Sequence, residues 1–130
     1  MRFAFIILSI FAIALSSNLD PYSETEKFLL SYWDHLKAKN YTIIDPEFVG
    51  FVDNVTYNKE ELIKKIGNPG KMPDDEIPKL NVTNAIFDAK GILKFNIKNY
   101  GHISKFTAKP NANIKGGYAL FKLETRRRIQ

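Results

Sequence analysis

Two hydrophobic periods divide this chain. Between Ser23 and Lys39 the residues Phe28, Leu29, Tyr32, Trp33 and Leu36 recur at i, i+1, i+4, i+5 and i+8, while Glu24, Lys27, Asp34 and Lys37 fall elsewhere. That spacing gathers the large apolar groups on one stripe of a helix. Ser23 with Glu26 three residues on matches a capping box, which predicts the helix start there. Asp45-Pro46 then signals a turn or a single helical turn, and Phe48 to Val52 reads as a short strand ending at Asp53-Asn54, with Gly50 permitting a bulge or close packing. A second helix is predicted from Asn58, where Glu61 completes a cap pair and Tyr57 can staple onto Leu62. Leu62, Ile63 and Ile66 form its apolar face, and Gly67 with Pro69 stops it near Ile66. Residues 68–78, rich in Pro, Gly and Asp, read as an exposed connection, because consecutive carboxylates without a calcium-loop spacing are ordinarily solvated.

From Leu80 the period shortens to two, and four strands are predicted: 80–89, 92–100, 103–109 and 118–129. In the second, Leu93, Phe95 and Ile97 alternate with Lys94, Asn96 and Lys98; in the fourth, Ala119, Phe121 and Leu123 are expected inside and Lys122, Glu124 and Arg126 outside. Such alternation belongs to half-buried antiparallel strands. Helix, strand, helix and then a run of strands is an α+β order with the helices on one face of the sheet. The first helix is expected to pack Phe28, Leu29, Trp33 and Leu36 onto Leu93, Phe95, Phe121 and Leu123.

The N-terminus changes the picture of where this domain works. Arg2 precedes an apolar run from Phe3 to Leu15 that is too short to span a bilayer, and Ala14-Leu15-Ser16 offers small residues for cleavage after 16 or 17. Residues 1–16 are therefore expected to be a signal peptide without a retained membrane anchor, and 17–130 a single secreted, extracellular domain. The absence of cysteine excludes disulfides, zinc-thiolate sites and cysteine nucleophiles, so a hydrophobic core must hold the fold. Asn40-Tyr41-Thr42, Asn54-Val55-Thr56 and Asn81-Val82-Thr83 are N-glycosylation sequons, placing Asn40, Asn54 and Asn81 at the surface.

Glu26-Lys27-Phe28, Trp33, Leu36 to Asn40, Asp45 to Gly50, Tyr57 to Ile63 and the closing Gly117 to Lys122 follow one another in an order that resembles the nuclear-transport-factor-2-like superfamily, across essentially the whole mature chain. Within it, the sequence looks most like the small secreted members abundant in nematodes. The resemblance implies a long helix lying in the concave side of a curved antiparallel sheet, forming a cone. That cone serves isomerases, dehydratases, cyclases, transport adaptors and non-catalytic modules, so it implies fold more than function.

An enzyme of that superfamily would need an Asp or His aimed into the cone with an oxyanion donor. The predicted inner strand positions carry neither; His35 and Asp34 lie on the first helix, His102 falls in a predicted turn, and no Ser-His-acid spacing or phosphate-binding glycine loop is recognisable. No catalytic residue, metal ligand or cofactor is assigned. Tyr32, Trp33, Phe95 and Phe121 are the candidates for lining a pocket, although an aromatic stripe at helical spacing ordinarily forms core. Charge is more informative: residues 17–88 carry −5 and residues 89–130 carry +9. Lys94, Lys98, Lys122, Arg126 and Arg128 have the solvent parity of their strands and form a candidate basic face for an anionic extracellular partner. Nucleic acid is not expected for an exported chain without a stacking motif. The leading reading is a non-catalytic binding or interaction module, and the alternative is a small-molecule enzyme or a carrier of an apolar ligand using the cone. Charges on the open sheet face, and a glycan at Asn81, predict a monomer or a weak, salt-sensitive dimer.

Overall fold

The first helix begins earlier than the Ser23 cap predicts. In the computed structural model, which describes residues 19–67, 80–99 and 101–127, α1 spans Pro21–Lys37. The Asp20 carboxylate caps it, accepting from the amides of Tyr22 and Ser23 at 3.3 Å each. Pro21 occupies the first turn, where a missing amide and a fixed φ cost nothing. Ser23, with its hydroxyl, donates to Asp20 at 2.9 Å instead of capping. Ala38 and Lys39 turn back onto the carbonyls of Asp34 and Leu36, so α1 ends two residues before the expected Lys39.

Tyr41–Ile43 form a single 3-10 turn, and β1 then runs Ile44–Val52. Asp45-Pro46 thus lies inside a strand. Proline is tolerated because the ladder to the neighbouring strand is interrupted between Ile44 and Val49, so no amide is required there. A two-residue turn at Asp53-Asn54 leads into β2 (Val55–Asn58), a strand the periodicity did not reveal. The register sets Gly50 opposite Tyr57. Helix α2 (Lys59–Ile66) carries the predicted capping box: the Glu61 amide donates to Asn58 Oδ1 at 2.9 Å, and the Asn58 amide donates to Glu61 Oε1 at 3.2 Å. The predicted signal peptide and the connection 68–78 lie outside the described residues.

Strands β3 (Asn81–Phe87), β4 (Leu93–Asn99), β5 (His102–Pro110) and β6 (Tyr118–Arg127) complete a curved sheet in the order β2-β1-β6-β5-β4-β3. The α+β class and the cone stand, but the sheet is mixed. Its first and last long strands, β1 and β6, pair in parallel, which is open to them because the whole intervening chain serves as the crossover.

The core lies between α1 and the concave face. Phe28 and Leu29 are buried, and the Phe28 ring meets Phe95 of β4 with centroids 6.0 Å apart. Burying each such side chain contributes on the order of 1.5–3 kcal/mol. Trp33, expected in the core, is only half-buried at its margin. One expected contact is absent from the core. β6 carries an extra residue where its pairing jumps from Thr107↔Lys122 to Ala108↔Leu120, so Phe121 has no cross-strand partner and the inward parity passes to Leu120. Leu120 is fully buried and continues the row Leu93, Ala108, while Leu123 continues the row Phe95, Phe106.

A filled cone and a basic sheet face as candidate functional sites

The cone interior is occupied by rings supplied from α1, β4 and β5. Phe28 stacks on Tyr32 at 5.7 Å and meets Phe95 edge-on, and Phe95 lies parallel to Phe106 at 5.0 Å. These separations are those of aromatic groups in direct contact. Burial, with the Tyr57 phenol as a lesser cause, pushes the Tyr32 hydroxyl well above the ordinary phenol range, so Tyr32 stays neutral. Of the four candidate pocket residues, Phe95 lies at the floor of the core, Tyr32 and Trp33 are half-buried against it, and Phe121 is on the opposite face beneath the Lys109 ammonium, 4.4 Å from its ring centroid.

Beside α1 is a shallow groove of about 300 Å³ between Lys27, Ser31, Asp34, His35 and the loop at Lys115 and Gly116. It brings a serine, a histidine and an acid together, but not as a relay. The Ser31 hydroxyl donates to the Lys115 carbonyl, and His35 Nδ1 lies 2.7 Å from the Ser31 carbonyl oxygen. A carbonyl only accepts, so Nδ1 carries the proton and cannot take one from serine. Asp34 faces Lys37 at 3.5 Å. The Ser31 bond instead ties the loop to the helix, helped by Gly116, whose φ of +94° and lack of a side chain let the loop approach: a Cβ there would sit 2.9 Å from that of Ser31. A wider, open hollow of about 750 Å³ lies between Leu19, Ile86, Lys90 and Tyr118. Among the described residues no three His, Cys, Asp or Glu side chains gather as a metal set, and no helix is long and apolar enough to cross a membrane.

On the convex face, register decides which cations act together. Lys94 faces Asp88 at 3.6 Å, and Lys122 faces Glu124 at 3.3 Å while lying 5.3 Å from the Phe51 ring centroid. Asp88 is held below the usual carboxylate range chiefly by the Ile92 amide, then by the Lys90 amide and the Lys94 ammonium. Lys98, Ile103 and Arg126 form one cross-strand row, and Asn96, Lys105 and Glu124 the next, so Lys105 is diagonal to both Lys98 and Arg126. Arg128 lies outside the described residues. Lys105 was missed in sequence because its strand mixes apolar and polar residues on both parities. The burial of Ala108 and the stacking of the Phe106 ring on Phe95 mark the even positions as inward, which leaves Ile103 and Lys105 on the outward parity.

All three sequon asparagines are exposed. Asn40 caps the 3-10 turn, its Oδ1 accepting from the Thr42 hydroxyl at 2.7 Å and the Thr42 amide at 3.3 Å. Asn54 sits in the β1–β2 turn, and Asn81 opens β3 directly across from Lys98.

No protein-family model matches the chain, and no curated protein does. Among solved structures it is similar to the crystal structure of the S. rosetta CaMKII hub, with a TM-score of 0.51 at 12% sequence identity, covering 82% of this chain and 93% of that one. At that identity the likeness is one of fold, and the fold is nuclear-transport-factor-2-like.

Proposed function

We propose that this chain is an exported, non-catalytic binding module that meets its partner on its outer surface instead of inside the cone. The observation that carries this reading is the ring stack Tyr32, Phe28, Phe95 and Phe106, which takes the space where a cone enzyme would hold substrate. The competing reading, a small-molecule enzyme or carrier, requires that space, and the His35 nitrogen nearest the Ser31 hydroxyl, Nδ1, donates to a carbonyl and so does not serve as a base toward that serine. The apolar run after Arg2, the sequons and the resemblance to small secreted members support export. Charges and a sequon on the convex face support a monomer or a weak, salt-sensitive dimer. Native mass spectrometry of the secreted protein tests the module reading. The expected mass is that of the chain from residue 17 or 18 plus any N-glycan; a stoichiometric small molecule released on denaturation would overturn it.

A further inference from the structure

Resting on that reading, we propose that the outward triangle of Lys98, Lys105 and Arg126 is a binding site for a linear polysaccharide bearing sulfate or carboxylate groups. In the strand register Lys105 is diagonal to the other two, and diagonal neighbours lie roughly 7–8 Å apart. Lys98 and Arg126 are separated by two strand spacings, on the order of 10 Å. Spread over three strands, the three cations can meet successive groups of a chain of repeated anions. The neighbouring cations are already balanced: Lys94 by Asp88 and Lys122 by Glu124. Glu124, directly across from Lys105, is drawn toward Lys122, and the triangle has no ion pair among the described residues.

The surroundings select among polyanions. A nucleic acid would use exposed rings for stacking, but the Phe51 and Phe121 rings of this face each lie under a lysine ammonium. An anionic membrane surface would be held in addition by inserted apolar side chains. The triangle supplies only Ile103, half-buried at its centre, with Asn96 and Asn81 beside it. The exposed apolar residues of this face, Ile86 and Val49, lie opposite Lys94 and Lys122 and not within the triangle, whose cations are flanked by amides and suit a hydrated, sulfated sugar chain. A glycan on Asn81, opposite Lys98, would stand at the rim of this site.

The test is elution from immobilised heparin in a salt gradient, using the full secreted chain after enzymatic removal of N-glycans. Wild type, the triple variant Lys98→Gln/Lys105→Gln/Arg126→Gln, and a charge-matched control carrying Lys59→Gln/Lys64→Gln/Lys65→Gln on α2 are compared. Exposed charge contacts are individually weak, so the triple variant is expected to bind roughly tenfold more weakly and the control about as wild type. Unchanged binding by the triple variant, or equal loss in the control, would overturn the assignment. So would tighter wild-type binding to phosphatidylserine vesicles than to heparin. Circular dichroism and the urea midpoint check that each variant is folded; if the triple variant is not, single substitutions each losing about twofold serve instead, and singles without loss refute the site. A small molecule found in the cone would sink the module reading while leaving these salt positions unchanged.

Discussion

Replacing Gly50 with alanine adds one methyl group at the most crowded point of the β1–β2 hairpin. Gly50 has no positive φ, so the backbone accepts alanine, and the smaller unfolded ensemble would by itself stabilise the variant by about 0.4–1 kcal/mol. Space decides otherwise. The new Cβ would lie 2.1, 2.3 and 2.5 Å from Cζ, Cε2 and Cε1 of Tyr57, where ordinary carbon contacts are about 3.5–4.0 Å. The ring would have to retreat by roughly 1.5 Å. It has nowhere to go, because it is buried against Phe48, with centroids 5.8 Å apart, and lies under the Lys65 ammonium at 4.1 Å. Overpacking of this kind costs about 1–3 kcal/mol, and with a severe overlap the upper part of that range applies. After the backbone gain, Gly50→Ala is expected to destabilise by about 1–2 kcal/mol, lowering Tm by roughly 5–15 °C for a domain of this size. Urea and thermal unfolding of four proteins measure it: wild type, Gly50→Ala, Tyr57→Leu and the double variant. In the Tyr57→Leu background the alanine should be neutral or mildly stabilising. If Gly50→Ala matches wild type, or costs as much without the ring as with it, the ring does not lie over Gly50 and the register of this hairpin is wrong.

The remaining expectations follow from burial and titration. Phe28→Ala should cost about 3–5 kcal/mol, and Trp33→Ala, removing a half-buried ring, about 1–3; equal urea midpoints for the two would contradict the placement of α1. The Asp20 carboxyl is held below its ordinary value by the Ser23 hydroxyl and then the Tyr22 amide, and Asp88 is held down mainly by the Ile92 amide. A depressed carboxylate contributes stability that is complete above its unfolded value of 3.8 and is lost as pH falls through the folded one. Stability should therefore drop below pH 4, and an Asp20→Ala/Asp88→Asn variant should show a flatter acid limb in urea titrations. At the other extreme, burial raises the Tyr32 hydroxyl above its unfolded value of 10.0, so its contribution is complete below pH 10 and lost as the unfolded phenol ionises above it. Tyr32→Phe should flatten the alkaline limb; an unchanged slope between pH 9.5 and 11.5 would mean that Tyr32 is solvated.

What was legible in sequence was carried by interactions a few residues long. The Asn58–Glu61 cap is closed by two hydrogen bonds spanning three residues, and it formed where the pattern put it. The alternation of β4 survives because one face of a strand must be buried, which leaves Leu93 and Phe95 inside and Lys94 half-exposed. At the start of α1, two local signals competed. Asp20-Pro21 prevailed over Ser23, since a carboxylate accepting two amides next to a residue with no amide satisfies more of the helix end than one hydroxyl does. Tertiary structure alone decided the rest. The parallel pairing of β1 with β6 joins residues more than seventy positions apart in sequence, such as Ile44 and Leu120, and no local pattern encodes it. The extra residue at Phe121 reverses parity within one strand, sending that ring to the convex face and Leu120 into the core, because the β5 ladder has one residue fewer to match. The same pairing brings Lys98, Lys105 and Arg126 from three strands onto one patch. Period-two alternation assigns a residue to a face, but only register decides which residues of that face are neighbours.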